Sequence, residues 1–191
     1  MIETTRLLLR PFEARDGEDL FAYRKDPLVN CFACMKCSSL DEARAEAIRC
    51  SREPEYCFAI VLKETGTVIG EIAAHPESAA PEDDAPKDTF SPCWMLHKDY
   101  HGKGYAFEAA CAFFDYLFCQ KGARRIYAYT EDYNLPCQQL CEKLGMRREG
   151  LFVEFVSFVN DENGQPIYEN TLQYAILKRE WEAKKNEKST R

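Results

Sequence analysis

No stretch of this 191-residue chain approaches the roughly 18 uninterrupted apolar residues that a membrane span requires, so no membrane segment is expected. The opening Met1-Ile2-Glu3-Thr4-Thr5-Arg6 has no basic region leading into a long apolar run, which speaks against a secretory signal and for a cytoplasmic protein. Basic residues are in deficit. Lys and Arg total 25 against 32 Asp and Glu, a formal net charge of −7, whereas nucleic-acid binders show a basic excess. That balance suits a basic amine partner better than an acidic one. No internal repeat and no convincing linker divides the sequence, so residues 1–178 are expected to form a single domain, with a charged tail at 179–191.

What is present fits a packed protein. Hydrophobic residues make up 46% and aromatics 13%, enough for a real core and incompatible with wholesale disorder. The ten cysteines exceed what such a core needs as a disulfide frame; without an export signal they are expected to be reduced and mostly buried.

Along the chain, Arg6 to Phe12 is an apolar run stopped by Pro11 and is predicted to be a strand; Arg15 to Lys25 is predicted helical. Ser39-Leu-Asp-Glu42 fits a capping box opening a helix that runs to about Arg52. Tyr56–Leu62 and Thr67–Ala74 flank the turn at Lys63–Gly66 and form a hairpin. Pro76 to Pro92, rich in proline and acid, is expected to be a mobile surface loop. A short strand at Cys93–Leu96 precedes a strong helix from Tyr105 to Gln120, whose Ala106, Ala109, Ala110, Phe113, Phe114 and Leu117 share one face. A strand at Arg125–Thr130, a helix from Asn134 to Leu144, and a hairpin of Leu151–Val159 with Ile167–Leu177 complete an α/β order of mixed strand direction.

The chemistry concentrates in His97-Lys-Asp-Tyr-His-Gly-Lys-Gly-Tyr-Ala106, between a strand and the long helix. Gly102 and Gly104 allow close backbone approach, and the helix start offers unpaired N–H groups and the positive dipole end. Such a junction is suited to a phosphate or pyrophosphate; the same residues also serve as an ordinary tight turn before a helix. It is neither a Walker loop nor a dinucleotide fingerprint, since Gly-Lys-Ser/Thr is missing and Phe107 occupies the third glycine's place.

Tyr100-His-Gly-Lys-Gly-Tyr-Ala-Phe-Glu-Ala109 resembles the pyrophosphate loop of the GNAT N-acetyltransferases. Asn134-Leu-Pro-Cys-Gln-Gln-Leu-Cys-Glu-Lys-Leu-Gly-Met146 is similar to a second element of that family. Thr5-Arg-Leu-Leu-Leu-Arg-Pro11 and Tyr174-Ala-Ile-Leu-Lys-Arg-Glu-Trp181 resemble the branch of ribosomal-protein N-terminal (alanine/serine) acetyltransferases. The resemblance implies a mixed, mostly antiparallel sheet with flanking helices and a splayed central strand pair, Cys93–His97 and Arg125–Thr130. It implies acetyl-CoA as donor, with Met95, Leu96 and His97 lining the pantetheine arm. The amides of His101, Gly102, Lys103, Gly104, Tyr105 and Ala106 would hold the pyrophosphate, and Asn134 would lie near the thioester. The acceptor would be a primary amine, on a small molecule or a protein N-terminus, attacking the thioester directly; a homodimer is compatible with it.

The chain departs from that pattern in several places. Asp99 stands where many members carry Arg or Gln, Cys137 replaces a Ser, and Cys141 takes the place of a Tyr that protonates the departing thiolate. A thiol of reference pKa about 8.5 can serve as acid, or pack as a small hydrophobe. Ser91 and Tyr127 fall at the usual base positions, leaving Glu71, His75 and Glu131, of which Glu71 is carried forward as the candidate base. Two other readings compete: a non-catalytic acyl-CoA-binding module, and a metalloprotein built on Cys31, Cys34 and Cys37. No second Cys-x-x-Cys pair supports the latter, and no metal is expected.

Overall fold

The computed structural model describes residues 1–78 and 85–189, with side chains of the last helix described to Asn186. Glu82, Asp83 and Asp84 of the acidic loop, and the last two residues of the tail, lie outside the described residues. The chain divides into two compact units: Met1–Ala73 with Cys93–Phe113 and Ser157–Tyr168, and Ala74–Pro92 with Phe114–Val156 and Glu169–Arg191.

The first unit is built on an antiparallel sheet in the order β1-β2-β3-β4-β7: β1 (Ile2–Glu3), β2 (Leu7–Arg10), β3 (Cys57–Leu62), β4 (Val68–Ala73) and β7 (Cys93–Leu96). Helices α1 (Gly17–Arg24) and α2 (Leu40–Ser51) belong to it, with Leu20, Ala43, Ala47 and Cys50 buried against Phe12, Ala59 and Met95. Every residue of β3 is buried, as its unbroken apolar run requires. Ser39 caps α2 by accepting the Glu42 N–H at 3.2 Å; Glu42 reaches back one residue further than expected, taking the Ser38 N–H at 2.7 Å. The β1 strand and a 3-10 segment at Asn30–Met35 escaped the sequence pattern, both being too short for periodicity.

The second unit holds a mixed sheet in the order β5-β6-β8-β10-β9, made of β5 (Pro76–Glu77), β6 (Thr89–Phe90), β8 (Arg125–Glu131), β10 (Pro166–Leu177) and β9 (Arg147–Asn160). Residues 157–168, the tip of the last hairpin, group with the first unit. The stretch expected to be all loop therefore contributes two strands: Thr89 and Phe90 are buried and pair in parallel with Arg125 and Ile126. A β-branched and an aromatic residue between Pro86 and Pro92 suffice for that short ladder. Helix α4 (Leu135–Leu144) ends at Gly145, whose φ of 85° suits only glycine comfortably. Helix α5 (Lys178–Ser189) gives the tail an anchor: buried Trp181 donates to Asp115 at 2.7 Å and packs on Phe114 and Phe118.

The longest helix, α3 (Tyr105–Cys119), runs through both units, burying Ala109, Ala110 and Phe113 in the first and Phe114, Leu117 and Phe118 in the second. On the outside of the second unit, Glu154 has φ 47°, the one non-glycine left-handed residue among those described. That bend lets Phe152 and Phe155, three residues apart, meet at 4.9 Å and both approach Tyr129 at 6.1 Å.

Candidate active site

The Gly102–Gly104 loop is left-handed at both glycines, with φ of 73° and 80°, and delivers the chain into α3. A Cβ at Gly102 would meet nothing within 4 Å, so the requirement there is conformational, not steric. Side chains around the loop are individually committed. The Asp99 N–H donates to His97 Nδ1 at 3.2 Å. His101 Nε2 lies 2.9 Å from the Leu96 carbonyl, an acceptor only, so it donates there. Lys103 Nζ sits over the Tyr100 ring at 5.4 Å. Tyr105 and Ala106, half-buried, open the helix.

Behind the loop stands a clasp. Glu108, one turn into α3, accepts the Arg6 backbone N–H at 2.8 Å, the Thr4 hydroxyl at 2.6 Å and Arg6 Nε at 2.7 Å. Arg6 Nη1 donates to the Lys103 carbonyl at 3.0 Å, and its guanidinium stacks over the Tyr105 ring at 4.4 Å. Burial alone would raise the Glu108 pKa, but these hydrogen bonds hold it below the ordinary carboxylate value.

Strand β7 feeds this loop. It is the last strand of its sheet, bonded to β4 on one side, so its outer edge has no ladder partner among the described residues. In the other sheet, β8 is paired with β6 at Arg125 and Ile126, and from Tyr127 onward that edge has no ladder partner among the described residues. The two strands expected to part thus belong to different sheets. Of the residues expected to line the arm, Met95 is turned into the core of its unit, while Leu96 and His97 are half-buried. Gly70, opposite Leu96, is obligatory: a Cβ there would lie 2.2 Å from the Met95 carbonyl oxygen.

Glu71, the candidate base, is only 4% exposed, and both its oxygens are taken. Arg24 donates to Oε1 at 2.7 Å and to Oε2 from Nε at 3.1 Å, and Tyr23 donates to Oε2 at 2.9 Å. Arg24 also holds Glu46, which Arg49 chelates in turn at 2.7 and 2.8 Å. Hydrogen bonds from Arg49, opposed by burial and joined by those from Arg24, bring the Glu46 pKa down to about 2.

In the second unit, Asn134 caps α4: its Oδ1 accepts the Cys137 N–H and its Nδ2 donates to buried Glu131, both at 3.3 Å. Cys141, the candidate acid, is 0% exposed; its hydrogen bond with Cys137 and its burial push the thiol pKa far up. Tyr127 is driven up to about 12 by burial and by donating to Glu77 at 2.8 Å. The cysteine triplet does not converge: Cys34 is exposed, Cys37 is buried in the core, and no described group of three or more His, Cys, Asp or Glu is arranged to hold a metal ion.

Residues 6–147 match the acetyltransferase (GNAT) domain family, about three quarters of the chain. The chain belongs to the GNAT acetyltransferase family. An uncharacterised N-acetyltransferase of Bacillus subtilis, YnaD, is 29% identical over 180 residues, covering 94% of this chain and 98% of that protein. A GNAT-family acetyltransferase from Bacillus anthracis superposes with a TM-score of 0.80 at 28% identity, over 94% and 99% of the two chains. A ribosomal-protein-S5-alanine acetyltransferase from Vibrio fischeri shares the fold at a TM-score of 0.68 and 15% identity, over 94% and 97%.

For this N-acetyltransferase, the residues that sequence reasoning missed are Thr4, Arg6 and Glu108. Arg6 and Glu108 are 102 positions apart, and nothing local in either segment announces the other. Of the residues it did single out, His97, His101, Gly102, Lys103, Gly104, Tyr105 and Ala106 are brought together with Arg6 in the first unit, whereas Asn134 and Cys141 lie in the second and Glu71 is enclosed in the first unit's core.

Proposed function

We propose that this protein transfers the acetyl group of acetyl-CoA to a primary amine, on a small molecule or a protein N-terminus, by direct attack on the thioester. The observation that carries this is the paired left-handed glycines at the head of the longest helix, with Arg6 held beside them by Glu108. Their main chain is free of Cβ atoms where an anion would approach, and the helix dipole favours negative charge there. On this reading the amides of His101 to Ala106 hold the diphosphate of acetyl-CoA, and the free edge of β7 at Leu96 and His97 takes the amide-bearing arm. The sequence resemblance assigns Asn134 to the acyl end. Bound acetyl-CoA supplies an activated acyl carbon; the protein supplies orientation, worth several kcal/mol on its own, and main-chain N–H groups for developing negative charge.

Proton handling follows from what the side chains are committed to. Glu71 serves Arg24 and Tyr23, and we assign it a structural part instead of that of base. Cys141, with its pKa pushed far up, is too weak an acid to protonate a departing thiolate, whose own pKa is about 8.5. The acceptor therefore arrives neutral or loses its proton to water, and the thiolate leaves as such. Activity on that scheme rises with pH toward the pKa of the acceptor amine.

The test is release of free thiol on incubating the protein with acetyl-CoA and a panel of primary amines, beside calorimetry with CoA. Turnover with at least one amine is expected; absence of CoA binding overturns the reading. The commitments of Glu71 and Cys141 favour one second reading, an acyl-CoA-binding protein without catalysis, which binding at wild-type strength with no turnover on any amine would select. Cytoplasmic residence and pairing of two copies belong to the same proposal, and sedimentation equilibrium reads the latter.

A further inference from the structure

Arg6 uses its guanidinium unevenly. Nε is held by Glu108 and Nη1 by the Lys103 carbonyl, and the plane lies over Tyr105. Nη2 has no hydrogen-bond partner among the described residues, and it sits 3.4 Å from the point where Gly104 would carry a Cβ. The side chain is 42% exposed, so this nitrogen is fixed in place without being enclosed. Of the loop's other basic side chains, Lys103 lies over the Tyr100 ring and His101 donates to the Leu96 carbonyl, while Lys98 is exposed with no partner among the described residues. A carboxylate so near would normally repel an anion, but Glu108 accepts three hydrogen bonds, from Thr4 and from both the main chain and side chain of Arg6.

We propose that Arg6 is the cationic partner of the acetyl-CoA diphosphate, aimed by Glu108 so that Nη2 stands beside the bare main chain of Gly104. A planar fork held at two corners loses little further freedom on meeting a phosphate oxygen, and a charge-assisted bond from it is stronger than one from a neutral amide. Arg6 binds the donor, and Glu108 is a positioning residue that acts through it. The inference rests on the acetyl-CoA reading and adds to it a side chain from the N-terminal segment.

The test compares two donors, acetyl-CoA and acetyl-pantetheine, which carries the same thioester but no diphosphate. Arg6→Met is expected to raise the KM for acetyl-CoA by about tenfold or more while leaving kcat within about threefold, and to leave kcat/KM for acetyl-pantetheine unchanged. Arg6→Lys keeps the charge without the fork and recovers part of the loss; Glu108→Gln, which spares the cation, gives an intermediate loss. Calorimetry with CoA across a salt series adds a readout that packing alone does not move: the affinity of Arg6→Met falls less steeply with salt than that of the wild type. Equal losses on both donors, or no loss on acetyl-CoA in well-folded Arg6→Lys and Arg6→Met proteins, overturn the proposal. Wild-type protein that binds no CoA overturns the underlying reading instead, which keeps the two failures apart.

Discussion

Two arginine–carboxylate clusters in the first unit have nearly the same composition and opposite accessibility. Around Arg24, side-chain exposure is 3%, with 5% for Glu71, and every guanidinium nitrogen donates to Glu71 or Glu46. Around Arg6 it is 42%, with 18% for Glu108, and one nitrogen has no partner among the described residues. The difference decides what each arginine can do. A fully donated, buried guanidinium ties α1, α2 and β4 together and has nothing left for a ligand. A half-donated, half-exposed one keeps a fixed direction and a spare donor. Burial and unspent hydrogen-bonding capacity, more than residue type, separate a brace from a binding group.

The largest effect comes from breaking the buried cluster from one side. Arg24→Met leaves Glu71 charged and enclosed, and stability measured by urea unfolding is expected to fall by about 3–5 kcal/mol. The double variant Arg24→Met with Glu71→Met removes both charges and should regain much of that loss. If the single variant loses under about 1 kcal/mol, the cluster is not the brace described.

Next in size is Gly70→Ala, on the strand that carries Glu71. The added Cβ meets the Met95 carbonyl at 2.2 Å, so β4 must shift against β7; overpacking of this kind costs about 1–3 kcal/mol. Because the shift moves Glu71 against Arg24, the loss should exceed that of Gly150→Ala, where a Cβ meets only the Phe152 ring at 3.8 Å, measured in the same unfolding series.

Acid separates the clusters by degree. The folded pKa of Glu46 lies near 2, below its unfolded value of about 4.5, so its contribution is complete above about pH 4.5 and is lost as pH falls toward 2. That contribution is on the order of 2 kcal/mol. Unfolding stability followed from pH 6 to 2 should fall more gently in Glu46→Gln than in the wild type, and parallel curves would remove Glu46 from the account.

How far these features were legible in the sequence follows the range over which each is specified. Helix α3 was legible because Ala109, Phe113 and Leu117 repeat on one face, and the glycine loop because two left-handed positions so close together require glycine. Asn134 and Gly145 mark the ends of α4 through rules that act within four residues. The 3.6- and 2-residue periods carry no information about partners far apart, so Arg6–Glu108 and Arg24–Glu71 were invisible, and nothing near Glu71 in the sequence announces its partner on α1. Thr89–Phe90 was lost inside an acidic, proline-rich stretch whose average composition outweighs two residues. The bend at Glu154 also went unseen, since a left-handed glutamate has no composition signal; Asn170 accepts its N–H at 3.0 Å and is held in turn on Asp132 at 2.8 Å.

The smallest expected effect is the one that sharpens the contrast most. Arg6→Met removes an ion pair that water already screens, and exposed pairs contribute about 0–1 kcal/mol. Its urea-unfolding stability should therefore stay within about 1 kcal/mol of wild type, against the several lost at Arg24, while CoA affinity falls. The Thr4 hydroxyl and the Arg6 main-chain N–H remain on Glu108 in that variant, so the N-terminal segment keeps its attachment to α3. A stability loss as large as that of Arg24→Met would mean that the two arginines do the same job, and the distinction drawn from their exposure would fall.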